Sequence, residues 1–109
     1  MLPQYIIMLG ARTSRGAAPG KAGKFVERDY QAIEKIVRQE HGFQGCTIVR
    51  AKGFFKGSEE DMVQIVILEE NYQKIRSCAQ QLRVRFRQKT VLVVSAGVGE
   101  FLGSKAALT

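Results

Sequence analysis

The order of apolar runs along the chain predicts an α+β fold, β-α-β-β-α-β, with a four-stranded antiparallel sheet carrying both helices on one face. Three observations lead there. Gln44 to Glu69 holds two apolar, β-branched runs on either side of a polar cluster, which is the pattern of a hairpin. A segment on each side of that hairpin repeats apolar residues at helical spacing, and a short apolar run stands at each outer end.

The first strand is expected at Gln4 to Leu9, apolar at the odd positions (Tyr5, Ile7, Leu9) and at the even ones (Ile6, Met8), so both of its faces need cover. Residues 10–23 are rich in glycine, lack apolar periodicity and predict a mobile loop. A helix follows from Phe25 to His41, with Val26, Tyr30, Ile33 and Val37 on one stripe and Gly42 placed to end it in a left-handed conformation. The lone histidine, His41, is read as a helix-end cap, since no cysteine, second histidine or acid at helical spacing completes a metal or general-base site with it.

In the hairpin, Cys46 to Val49 forms one arm, Met62 to Leu68 the other, and residues 56–61 (KGSEED) the turn. Asn71 is a good N-cap for a second helix reaching Arg87, with Tyr72, Ile75, Ala79, Leu82 and Phe86 buried and Arg76, Gln80, Arg83 and Arg87 on the wet face. Thr90 to Ser95 is the fourth strand, and Val98 to Leu102 has the composition of a brief extra edge pairing. The last six residues, 104–109, are expected to be disordered. This order is the ferredoxin-like split βαβ arrangement, whose first and third strands are central, and these are the two most apolar strands here.

Two helices cover only one face of such a sheet, yet strands one, three and four are apolar on both. The other face would present Ile6/Met8, Val63/Ile65/Ile67 and Val91/Val93 or their alternates. At about 1.5–3 kcal/mol per buried side chain, leaving six of them wet forgoes on the order of 10 kcal/mol, so self-association as a dimer or trimer through that face is expected.

The chain is one domain of 109 residues, and at 45% hydrophobic it needs no disulfide or metal staple. Cys46 and Cys78 lack zinc or redox spacing and read as reduced packing residues. No apolar run is long enough to span a bilayer, and the basic residues follow the N-terminal apolar run where a signal peptide has them before it, so a cytoplasmic protein is expected. The net charge of +7 is concentrated: residues 1–24 and 71–99 contain lysine and arginine and no acid. That distribution permits a polyanionic or anionic partner without requiring one, and an ordinary solvated basic surface is the simpler account of it.

Familiar chemistry is approached and missed. Residues 16–22 (GAAPGKA) are similar to a phosphate-binding P-loop, but one residue is missing between the glycines and Ala22 stands where Ser or Thr would hold magnesium. Residues 5–10 (YIIMLG) resemble the first-strand motif of RNA-recognition domains, and Lys52 to Phe55 the start of the second. That second motif belongs on the third strand, which here has no aromatic residue. Ser14, Ser58, Ser77 and Ser95 have no neighbouring histidine or paired acid, and Glu59, Glu60 and Asp61 read as solvated turn acids.

Residues 45–57 (GCTIVRAKGFFKG) resemble the second strand of the nitrogen-regulatory PII signal proteins, and the layout from Ile33 to Val94 is similar. The resemblance implies a trimer binding adenine nucleotides or other small ligands in clefts between subunits. Residues 56–61 give a short turn where PII has its long loop, and the loop at 10–23 is extra. Phe54-Phe55-Lys56-Gly57 with the acids after it, and residues 85–93 (RFRQKTVLV), also resemble an uncharacterised bacterial and phage domain family of the same topology, which brings no activity.

The leading expectation is therefore a non-catalytic, homo-oligomeric module binding a small anionic ligand between subunits through Lys52, Lys56, Arg87 and Lys89, with no cofactor and no metal. The alternative is a weak, salt-sensitive nucleic-acid binder using Arg12, Arg15, Lys21 and Lys24 of the early loop with Arg76 and Arg83 of the second helix. A small enzyme with a site between subunits stands third.

Overall fold

The structure, a computed structural model, describes residues 2–11, 23–43, 45–55 and 57–99. Most of the loop at 10–23 and all of the tail at 104–109 lie outside them. The elements are β1 (Leu2–Gly10), α1 (Glu27–Glu34) running on into a π-helical segment (Lys35–Glu40), β2 (Gly45–Phe55), β3 (Ser58–Leu68), α2 (Tyr72–Arg85) and β4 (Leu92–Gly99). One antiparallel sheet has the order β2-β3-β1-β4, so the ferredoxin-like topology expected from the sequence is the one observed, with β1 and β3 central.

Register decides which apolar residues form the core. Ile7 lies opposite Ile65 on β3 and Val93 on β4, and Ile65 lies opposite Ile48 on β2. The odd residues Ile7, Leu9, Val63, Ile65 and Ile67 are fully buried with Ile33 and Val37 of the first helical stretch and Ile75 and Leu82 of α2. The opposite face therefore carries the even residues: Ile6 between Val66 and Val94, and Met8 beside Leu92, with Met62 and Leu68 further along β3 and Gln4 and Gln64 interrupting. On β3 and β4 it is the alternates of the first-named sets that face outward. Leu92 is 58% exposed, and among the described residues no element packs over this face.

Helix ends depart from expectation for local reasons. Phe25 stays extended and packs its ring on Tyr30 and Phe86, and α1 starts at Glu27 behind an Asp29 carboxylate that accepts the Val26 N–H at 2.8 Å. The π-helical segment ends with the His41 N–H on the carbonyl of Ile36, and Gly42 follows at φ 63°. The His41 ring stacks on Phe43 and its Nε2 lies 2.7 Å from Gln81 Oε1, so beyond ending the helix it ties that end to α2. Asn71 caps α2 as expected, accepting the Gln73 N–H at 3.1 Å. α2 stops at Arg85 because the N–H of Arg87 turns back to Val84 and that of Gln88 to Arg83, a Schellman ending whose left-handed position is taken by Arg87 at φ 55°.

The hairpin turn is tighter than predicted. Ser58 to Asp61 belong to β3, opposite Phe55 to Lys52, and Gly57 precedes them at φ 78°. The polar cluster is strand because its acids have a cross-strand cation: Lys52 Nζ sits 3.5 Å from Glu59 and 3.9 Å from Asp61. At the other end Val98 and Gly99 continue β4 opposite Pro3 and Leu2, past an irregularity where Gly97 takes φ 88°.

Candidate functional site

The structure divides the residues singled out for ligand binding. Lys52 is on β2, at one edge of the sheet, and its charge is met by Glu59 and Asp61. Lys89 precedes β4, at the other edge, three strand spacings or about 14 Å across the sheet. Arg87 holds the strained helix-end turn, and Lys56 lies outside the described residues, as do Arg12, Arg15 and Lys21. Lys24 is exposed ahead of Phe25. Of the first set, the two described lysines, Lys52 and Lys89, thus stand at opposite edges of the sheet. Lys89 is instead brought together with Arg76 and Arg83.

Those three cations line a groove of about 440 Å³ between α2 and β4, with Tyr72, Ala79, Gln80, Thr90, Val91 and Val93. Helical spacing puts Tyr72, Arg76, Ala79, Gln80 and Arg83 on one side of α2. Val91 and Val93 form an apolar floor that packs on the core. At one end the ring of Tyr72, 44% exposed, meets Tyr5 at 5.4 Å. The three cations are not equivalent. Arg83 is committed, with Nε 2.7 Å from Gln80 Oε1 and Nη1 3.5 Å from the carbonyl of Gln88. Among the described residues Arg76 and Lys89 have no acidic partner, and residues 71–99 contain no Asp or Glu. Tyr72 and Thr90 were missed from sequence, the first because its spacing assigned it to the core and the second because nothing marks a threonine before a strand.

A second cluster fixes the ends of the early loop. The Ala11 N–H donates to the Asp61 carbonyl at 2.9 Å, the Asp61 N–H to the Gly23 carbonyl at 2.6 Å, and the Phe25 N–H to Asp61 Oδ2 at 2.9 Å. Gly23 is required there: it has φ 73°, and a Cβ would approach the Glu59 carbonyl to 3.0 Å. Asp61 is thus an anchor with structural work. Asp61→Ala is expected to destabilise by about 1–3 kcal/mol by orphaning the Phe25 N–H, and Asp61→Asn by less because an acceptor remains; urea denaturation of the two variants measures the difference.

The thiols are not poised for chemistry. Burial pushes Cys78 up to about 12 and raises Cys46 as well, and no disulfide joins them. At pH 8 Cys78 is held as the thiol, so Ellman's reagent is expected to label it only after denaturant is added; labelling of both thiols in the native protein at the rate of a free thiol would contradict this. Among the described residues no histidine, cysteine and carboxylate cluster has metal-binding geometry.

No family model matches the chain, and no curated protein matches it in sequence. Solved structures do match in fold. A phage SAM lyase in complex with S-methyl-5'-thioadenosine aligns with a TM-score of 0.63 at 19% identity, over 89% of this chain and 83% of that one. A phage SAM lyase in its apo state aligns with 0.61 at 20% identity, over 88% and 82%. The neighbours are an enzyme. This corrects the expectation of a non-catalytic module.

Proposed function

We propose that this chain is a lyase acting on S-adenosylmethionine and releasing S-methyl-5'-thioadenosine. The observation that carries the reading is the end-to-end likeness in fold to a SAM lyase holding that nucleoside. The groove between α2 and β4 is of a size for one nucleoside-bearing molecule, and its apolar floor and terminal tyrosine suit a purine and its ribose.

The chemistry fits the residues of this chain. In S-adenosylmethionine the sulfur bears three carbons and a positive charge. When the bond to the aminobutyrate carbon breaks, both electrons go to sulfur and a neutral thioether leaves. The aminobutyrate half is completed from within, by its own carboxylate or by loss of a proton. Such a step needs orientation and a poorly hydrated site more than an activated side-chain nucleophile. It is compatible with a chain whose serines have no histidine beside them.

Self-association enters the reading in two separate ways. The outward face of the sheet supports packing between copies, whereas the groove, floored by Val91 and Val93, opens on the helix side of that sheet. The likeness of residues 45–57 to PII proteins, whose ligands sit in clefts between subunits, supports completion of the groove by a second copy. Incubating the purified protein with S-adenosylmethionine and following S-methyl-5'-thioadenosine by chromatography with mass detection tests the reading. Release far above the spontaneous rate is expected; release at that rate would refute it.

A further inference from the structure

We infer that Arg76 and Lys89 read the α-carboxylate of the substrate, so that the groove selects a nucleoside thioether or sulfonium that still carries its amino-acid half. The inference rests on the lyase reading and extends it to specificity. Arg76 comes from α2 and Lys89 from the segment before β4, and both line the one groove with the apolar floor. Among the described residues neither has a carboxylate partner, whereas Arg83 beside them is engaged by Gln80 and by the carbonyl of Gln88. The other lining residues, Tyr72, Ala79, Gln80, Thr90, Val91 and Val93, bring no negative charge.

Two cations that lack a carboxylate partner among the described residues, set over an apolar floor, favour a ligand that is flat at one end and carries a carboxylate at the other. Adenosine joined through sulfur to an amino acid has that form, its carboxylate standing beside the α-ammonium on one carbon. An arginine takes a carboxylate through two parallel N–H donors, and a lysine adds a point charge from another direction. The arrangement also gives the reaction a direction. Cleavage separates the carboxylate from the nucleoside, so the nucleoside product keeps the floor and loses both cations, and it leaves more readily than substrate.

Calorimetric binding to the full chain tests this with unreactive probes: S-adenosylhomocysteine, its decarboxylated counterpart and S-methyl-5'-thioadenosine. Wild type is expected to bind the acid about 100-fold more tightly than the decarboxylated compound. Arg76→Ala and Lys89→Ala should each weaken the acid about tenfold, about 1.4 kcal/mol, and leave S-methyl-5'-thioadenosine unchanged. Both side chains are on the surface, and circular dichroism would establish that the variants fold; Arg38→Ala, on the far helix, serves as a control expected to match wild type. Equal affinity of wild type for the acid and its decarboxylated form, or equal loss of all three probes in the double variant, would overturn the inference while leaving the lyase reading in place if product is still released. Absence of both binding and product release would remove the two together.

Discussion

Ile65→Ala is expected to cost about 2–5 kcal/mol, a large share of the roughly 5–15 kcal/mol that holds a domain of this size folded. Ile65 is fully buried at the middle of β3, opposite Ile7 on one neighbouring strand and Ile48 on the other. Its side chain points at the layer formed by Ile33, Val37, Ile75 and Leu82, so truncation removes three carbons where two strands and two helices converge. None of these neighbours can collapse into the gap without dragging its own strand or helix. Ile65→Val, which removes one methyl, should cost about 0.5–1.5 kcal/mol. Urea midpoints compared at one protein concentration measure both; a change below about 1 kcal/mol for the alanine variant would mean that β3 is not the centre of the core.

The second large effect is on assembly. Val66→Glu puts a carboxylate at the centre of the outward sheet face, beside Ile6 and across β1 from Val94. If sheets of two or three copies pack through this face, the charge must be desolvated on association, at several kcal/mol per subunit, and the assembly should fall to monomer at micromolar concentration. Leu92→Glu, at a side chain already largely exposed in one chain, should act in the same direction with less risk to the fold. Light scattering on wild type and both variants decides it. A monomeric wild type, or variants that keep the wild-type mass, would remove the argument for packing through this face; in the first case the proposed groove would have to work within a single chain.

What could be read from the sequence was local. The hairpin, the Asn71 cap, the left-handed Gly42 and the central position of the two most apolar strands follow from periodicity and from single residues whose conformational preferences are strong. The misreadings arose where a partner distant in sequence decides. Glu59 and Asp61 look like turn acids until Lys52 is found across the strand, and α2 stops two residues early through a Schellman turn that a glycine would have announced but Arg87 does not. The groove was invisible for a related reason. Arg76, Arg83 and Lys89 were sorted into different binding sets because spacing along the chain distinguishes helix from loop, and only the fold shows that Arg83 is bonded to Gln80 and Gln88 while Arg76 has no acidic partner among the described residues. An enzyme with a site between subunits ranked only third from the sequence because the proposed chemistry asks for no recognisable nucleophile and base.

The π-helical segment at Lys35–Glu40 has a consequence for how this sequence can change in length. A wide turn holds about one residue more than the α turn it replaces. Deleting one residue there would let the backbone relax to ordinary winding while leaving the stretches before and after it at nearly the same angle, because the wide turn and the α turn each complete one revolution. Phe43 would keep its seat in the core and β2 its facing. This stretch should therefore accept the loss of one residue, where a deletion elsewhere in the helix would turn everything beyond it by about 100°.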